Sequence, residues 1–154
     1  MCIRDRLFAI ALWLFYGLIS FVIVGKVMFR AQGAMYLANS FVFTLCALTM
    51  AFLISSIFNN KEAVNGIVNV VALGSAFLCG AFIPVEWLPD GVLAVGRIFP
   101  AYWYIQTNEY LKTLETVSVS GLKPVFINML VMALYGVFYI IVANIVSAKK
   151  RVVA

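Results

Sequence analysis

The sequence predicts an all-α, polytopic membrane protein. Hydrophobic residues make up 65% of the 154 residues, charged residues make up 11%, and the mean hydropathy is +1.06; these values exclude a water-soluble globular domain. Four windows contain no Asp, Glu, Lys or Arg and reach the ~20 residues that span the hydrocarbon layer as a helix. Their continuous apolarity excludes the two-residue alternation of a membrane barrel. The predicted spans are residues 7–25, 37–58, 63–83 and 124–147.

The first span follows a short basic start. Arg4 and Arg6 precede residues 7–25, and a basic start before an apolar stretch is also how a signal peptide begins. The apolar stretch is long enough to cross the bilayer, however, and no small-x-small cleavage site lies directly before Lys26. We therefore expect a retained transmembrane helix.

The second and third spans contain uncharged polar residues and no Asp, Glu, Lys or Arg. In the third span, Asn65 and Asn69 are four residues apart and should share one helical face, as should the small residues Ala76 and Gly80. Two interpretations stay open for the asparagines: contacts that pack helices together, or the lining of a path for a transported molecule. The lack of charged groups at mid-membrane argues against a carrier coupled to ions or protons.

The segment between the third and fourth spans is rich in proline and aromatic residues. Pro84, Pro89 and Pro100 each lack a backbone donor and resist continuation of a helix. Trp87 is one of several aromatic residues that suit the membrane interface. An ordinary aromatic loop is one interpretation, but proline breaks about half a span apart favour re-entrant pieces. We also expect a short amphipathic helix on the outer surface at residues 105–114.

The basic residues near the spans predict the orientation. Lys149, Lys150 and Arg151 follow the fourth span, which places the C-terminus in the cytoplasm. The turn at residues 59–62 is then also cytoplasmic, and residues 84–123 lie outside. Lys26 and the nearby Arg30 oppose this assignment, because they put positive charge on the outer side. The prediction is a multi-pass protein of the cell membrane.

Several function classes are excluded by what the sequence lacks. It contains no His, which rules out Ser-His-Asp, Cys-His and histidine-based metal sites within this chain. Cys2, Cys46 and Cys79 do not have metal-ligand spacing, and there is no phosphate-binding loop. The net charge of +5 forms no basic stripe, so we expect contacts with anionic lipids and no nucleic acid. We predict no catalytic, cofactor-binding or metal-binding residue.

A family resemblance rests on the segment around these prolines. Residues 77–84 read Phe-Leu-Cys-Gly-Ala-Phe-Ile-Pro, and Trp-Leu-Pro at residues 87–89 and Phe-Pro-Ala-Tyr-Trp at residues 99–103 follow. This region resembles the connection between the last two spans of ABC-2 type permeases, the transmembrane subunits of type-2 ABC exporters. The preceding span, which ends in an Asn-Lys-Glu turn, is similar to the corresponding span of that family. The resemblance covers residues 7–147.

The resemblance implies a C-terminal fragment of a six-span permease. The four predicted spans would correspond to the third through sixth, and the first two, with the coupling helix that follows them, would be missing. Such a permease would pair with a second permease subunit, as a homo- or heterodimer, and with a separate ATPase that binds ATP and Mg. No cofactor would belong to this chain itself.

The resemblance also suggests where function concentrates. Asn65 and Asn69 would line the translocation path. An outer re-entrant gate would comprise Gly80, Pro84, Trp87, Pro89 and Pro100, and the ATPase would contact Asn60, Lys61 and Glu62. The alternative function is a small polytopic scaffold or accessory subunit that transports nothing; an intramembrane enzyme is disfavoured.

Overall fold

The structure, a computed structural model, describes residues 3–25, 31–83, 85–114 and 121–153, and all regular elements in these ranges are helices. The all-α prediction is therefore confirmed for this part of the chain. The elements are α1 (Ile3–Val24), α2 (Ala31–Ile57), α3 (Lys61–Leu78), a 3-10 turn (Val85–Trp87), α4 (Asp90–Gly96), α5 (Pro100–Thr113) and α6 (Lys123–Val153).

Two helices in the described ranges are long and apolar enough to cross a membrane. These are α2, Ala31–Ile57, with a hydropathy of 2.1, and Lys123–Lys150 of α6, with a hydropathy of 2.4. The apolar part of α1, Leu7–Ile23, is shorter. Helix α3 is not among the two, since it carries Lys61, Glu62 and two asparagines over its 18 residues. Four spans remain a prediction, and two are supported by helix length and composition.

The bundle is built around α2 and α6. The two helices are in direct contact at buried Gly136 of α6: a Cβ added there would lie 3.8 Å from the Cα of Cys46 on α2, an ordinary van der Waals distance. Met132 and Ala143 of α6 are fully buried. Helix α5 packs against both α2 and α6. The core is therefore a three-helix contact among α2, α5 and α6.

Helix α1 packs against α2 through a few aromatic and polar contacts. The indole Nε1 of Trp13 donates to Ser40 Oγ at 2.9 Å, and the Trp13 ring meets Phe41 edge-on at 5.1 Å. Most of its other large side chains face away from the bundle, with Val22 85% and Ile23 77% exposed. Apolar exposure on this scale fits a lipid environment.

The helix boundaries differ from the predicted spans at both ends of the proline-rich segment. Helix α3 stops at Leu78, before residue 83, where the third span was predicted to end. Ala76 and Gly80 therefore do not share a helical face, because Gly80 lies beyond the helix. The amphipathic helix expected at residues 105–114 is the second half of α5, and Thr107 and Leu111 on it are buried.

Candidate functional site

Helix α3 ends in a turn that requires glycine at position 80. Gly80 has φ of +94°, and the N–H of Ala81 donates to the carbonyl of Ala76 at 3.0 Å. This is the hydrogen bond of a Schellman helix end, in which a left-handed residue reverses the chain. A Cβ at Gly80 would also lie 2.5 Å from Cγ2 of Val85. The predicted gate residue thus has a defined local role as the terminator of α3.

The prolines that follow begin helices. Pro89 is the N-cap of α4, and Pro100 is the first residue of α5, after Phe99 as N-cap. The first turn of a helix tolerates proline because its N–H groups have no intrahelical partner. Trp87 lies in the 3-10 turn and is 78% exposed. Pro84, the remaining predicted gate residue, lies outside the described residues.

Helix α4 folds back onto the end of α3 at a second glycine. A Cβ at Gly96 would lie 2.7 Å from the carbonyl oxygen of Leu78, and the Cys79 thiol donates to the Gly96 carbonyl at 3.7 Å. Cys79 is fully buried in a cluster with Ala101 and Tyr102. Gly96 was not among the residues predicted from the sequence, although a lone glycine within an apolar stretch often marks close backbone approach.

The break between α4 and α5 lies against the middle of α2. Phe99, Pro100 and Ala101 line one small cavity together with side chains from α2 and α3. The α2 residues of that cavity are Phe43, Ala47 and Met50, which are central in the Ala31–Ile57 helix. One turn after the break, the Tyr104 ring stacks on the ring of Phe43 in α2, with the ring centroids 4.5 Å apart. We call the segment from Asp90 to Thr113 the hairpin.

A polar joint fastens the hairpin to α2. Asn39 is fully buried, and its Nδ2 donates to the Tyr104 carbonyl at 3.1 Å and to Asn108 Oδ1 at 2.9 Å. The hydroxyl of Tyr36 donates to the Asn108 carbonyl at 3.1 Å, and Gln32 Nε2 donates to the Leu114 carbonyl. Among the described residues, Asn39 Oδ1 is a buried side-chain oxygen that lacks a partner. The joint aligns α5 antiparallel to the first half of α2.

The two asparagines proposed for the translocation path lie on the open face of α3. Asn65 and Asn69 are both exposed, and no hydrogen bond joins either side chain to another described residue. Val70, Leu73 and Phe77 on the same helix are 71%, 54% and 51% exposed. The structure therefore places the two asparagines on one exposed side of α3.

The residues proposed for the ATPase contact form the start of α3. Asn60 is the N-cap, and its Oδ1 accepts from the Glu62 N–H at 2.9 Å. Glu62 lies in the first turn, where a carboxylate stabilises the positive end of the helix. Lys61 and Glu62 are both exposed. Asn60 thus stabilises the start of α3, and the side chains of Lys61 and Glu62 are accessible to another protein.

The hairpin also borders a pocket of about 590 Å³. Its walls include Gly80, Glu86 and Gln106, together with an ion pair in which Lys112 Nζ lies 2.6 Å from Glu109 Oε1. The hydrogen bond that the Lys112 ammonium donates to the Glu109 carboxylate raises the pKa of Lys112. The described residues contain no group of three or more His, Cys, Asp or Glu side chains able to hold a metal ion.

Comparison with known proteins gives one match. The family model of the ABC-2 type transporter matches residues 2–109, well over half of the chain. The matched region includes α2, α3 and most of the hairpin. No curated protein and no solved structure matches the chain. The family model covers enough of the sequence to establish that this chain belongs to the ABC-2 type transporter family, as a membrane permease component.

Proposed function

We propose that the chain is the permease subunit of an ABC exporter, in which it forms part of the translocation path and a separate ATPase supplies the energy. A second permease subunit completes the path, as a homo- or heterodimer. The observation that carries the proposal is the hairpin of the family-matched region, whose break at Phe99 and Pro100 packs against the middle of the longest apolar helix in that region.

The packing of this break supports a re-entrant gate. The backbone between α4 and α5 is not helical at Phe99, and inside a bilayer such backbone is tolerated only where protein or a water-filled cavity covers it. Pro100 and Ala101 are buried against neighbouring helices, which meets that condition. The gate is proposed to comprise Gly80, Pro84, Trp87, Pro89 and Pro100.

The open face of α3 supports a path lined by Asn65 and Asn69. An amide that faces lipid without a partner costs free energy, since hydrocarbon offers no hydrogen bond. Two such amides on one exposed face are better explained if that face meets a second subunit or a hydrated path. If the asparagines pack helices together, this face of α3 meets a second subunit. If they line a path for a transported molecule, the face is hydrated.

The energy source is proposed to lie in the partner ATPase, which would bind ATP and Mg. The exposed side chains of Lys61 and Glu62 are the proposed contact with it, and the N-cap formed by Asn60 fixes their backbone. This arrangement requires the turn at residues 59–62 and the C-terminus to be cytoplasmic. Labelling of a Lys149→Cys variant by a membrane-impermeant maleimide, in inside-out but not right-side-out vesicles, would support that orientation.

The test is co-expression with ATP-binding subunits encoded beside the gene, followed by co-purification and reconstitution in liposomes. We expect a stable complex whose ATP hydrolysis exceeds that of the ATPase alone. The double variant Asn65→Leu with Asn69→Leu should change the rate of ATP hydrolysis that the permease stimulates. Asn144→Leu on α6 is the matched control and should leave this rate unchanged. A chain that assembles stably with other membrane proteins and recruits no ATPase would overturn the proposal and favour a scaffold.

A further inference from the structure

A lysine near the end of α6 reaches the turn that connects α2 to α3. Lys150 Nζ donates to the carbonyl of Ile57 at 2.8 Å and to Asn59 Oδ1 at 2.8 Å. These residues are 93 and 91 positions away along the chain. Ile57 is the last residue of α2. The contact therefore joins the ends of α2 and α6 at the start of the turn.

The chemistry at this contact suits a cation. The last carbonyls of a helix have no intrahelical partner, and together they form the negative end of the helix dipole. An ammonium group at that position satisfies the Ile57 carbonyl and interacts favourably with the dipole. Asn59 adds a second acceptor from outside the helix. One residue further, Asn60 caps α3, so Lys150 binds directly beside the cap.

We propose that Lys150 is a positioning residue that holds the turn at residues 58–60 against the end of α6, so that Lys61 and Glu62 are presented to the ATPase in one fixed orientation. The inference rests on the proposed function. Because Lys150 links the turn to α6, a displacement of the turn should move α6 as well as α2 and α3. These three helices pack against the hairpin. The neighbouring Lys149 is exposed and has no hydrogen-bond or ion-pair partner among the described residues.

The first experiment measures the mobility of the turn. A spin label is attached at Lys61→Cys in the full chain, with the native cysteines replaced by Ala, in liposomes. Lys150→Met keeps the length of the side chain but removes its donors, so the label should become more mobile. Lys149→Met should leave it unchanged, and Lys150→Arg should restore the restricted spectrum. Equal mobility in the Lys150→Met and Lys149→Met variants would overturn the proposal.

The second experiment measures coupling in the reconstituted complex. Lys150→Met should lower the permease-stimulated rate of ATP hydrolysis by about two- to fivefold, with the KM for ATP unchanged because nucleotide binds the partner. Lys150→Arg should retain most of the stimulation. Stimulation by Lys150→Met equal to that of the unaltered chain would refute a role in coupling. If the unaltered chain stimulates no ATPase, the proposed function fails, and the spin-label result still decides whether Lys150 positions the turn.

Discussion

Substitution of Gly96 by Ala tests whether α4 is seated directly on the backbone of α3. The added Cβ would lie 2.7 Å from the carbonyl oxygen of Leu78 and 3.4 Å from its carbonyl carbon. The oxygen belongs to the last residue of α3, so it cannot rotate away as a flexible side chain could. Either α4 shifts outward or the end of α3 distorts, and overpacking of this kind costs about 1–3 kcal/mol.

The preference of helices for Ala offsets part of this cost. Ala is more favourable than Gly by up to about 1 kcal/mol inside a helix, although Gly96 is at the end of α4, where the gain is smaller. The net destabilisation should be about 1–2 kcal/mol. At about 2–4 °C per kcal/mol for a chain of this size, the Tm should fall by several degrees.

The assay is thermal unfolding of the purified protein in detergent, followed by size-exclusion chromatography after heating. Gly91→Ala is the matched control, because Gly91 lies on the same helix and a Cβ there would meet nothing within 4 Å. Its Tm should be unchanged or slightly higher. If the Tm of Gly96→Ala equals that of Gly91→Ala, then α4 does not pack on α3 at this distance, which would refute the prediction.

The other predictions concern the turn, the polar joint and the surface ion pair. Gly80→Leu forces a branched side chain into a left-handed conformation, at a cost of about 1–2 kcal/mol; export into vesicles should fall while membrane fractionation still shows insertion, and unchanged export would contradict a packed gate. Asn39→Asp should lower the Tm more than Asn39→Leu. Both variants lose the two donated hydrogen bonds, but only the carboxylate also buries a charge, which faces the acceptor oxygens of Tyr104 and Asn108; the reverse order would argue against the joint. Glu109 raises the pKa of Lys112, so their pair stabilises the fold below the ordinary lysine pKa and loses this effect as the pH rises through the raised value. Both side chains are at least half exposed, so Glu109→Gln should change the Tm at neutral pH only slightly, and a fall of many degrees would show a larger role for the pair.

Some structural details follow from the sequence only in part. Pro89 and Pro100 predicted breaks, and the structure has helix starts at both positions. Proline lacks the backbone N–H that a helix interior requires, and this local restriction holds whatever the tertiary fold. Asn65 and Asn69 share a face for a similarly local reason. Asn39, by contrast, was one polar residue among several in its span, and its partner Asn108 is 69 residues away. Periodicity carries no information about such a pair.

The sequence by itself determined the all-α class and the family. Composition requires a membrane environment, and a lipid-exposed backbone must satisfy its own hydrogen bonds within helices; the proline and aromatic pattern of residues 77–103 carries the ABC-2 resemblance that the family model matches. Only the tertiary structure decided that Gly96 meets Leu78, that the hairpin break lies beside the middle of α2, and that Lys150 caps α2. These contacts depend on how far each helix continues and in which register it packs, and both are set by side chains that are remote along the chain.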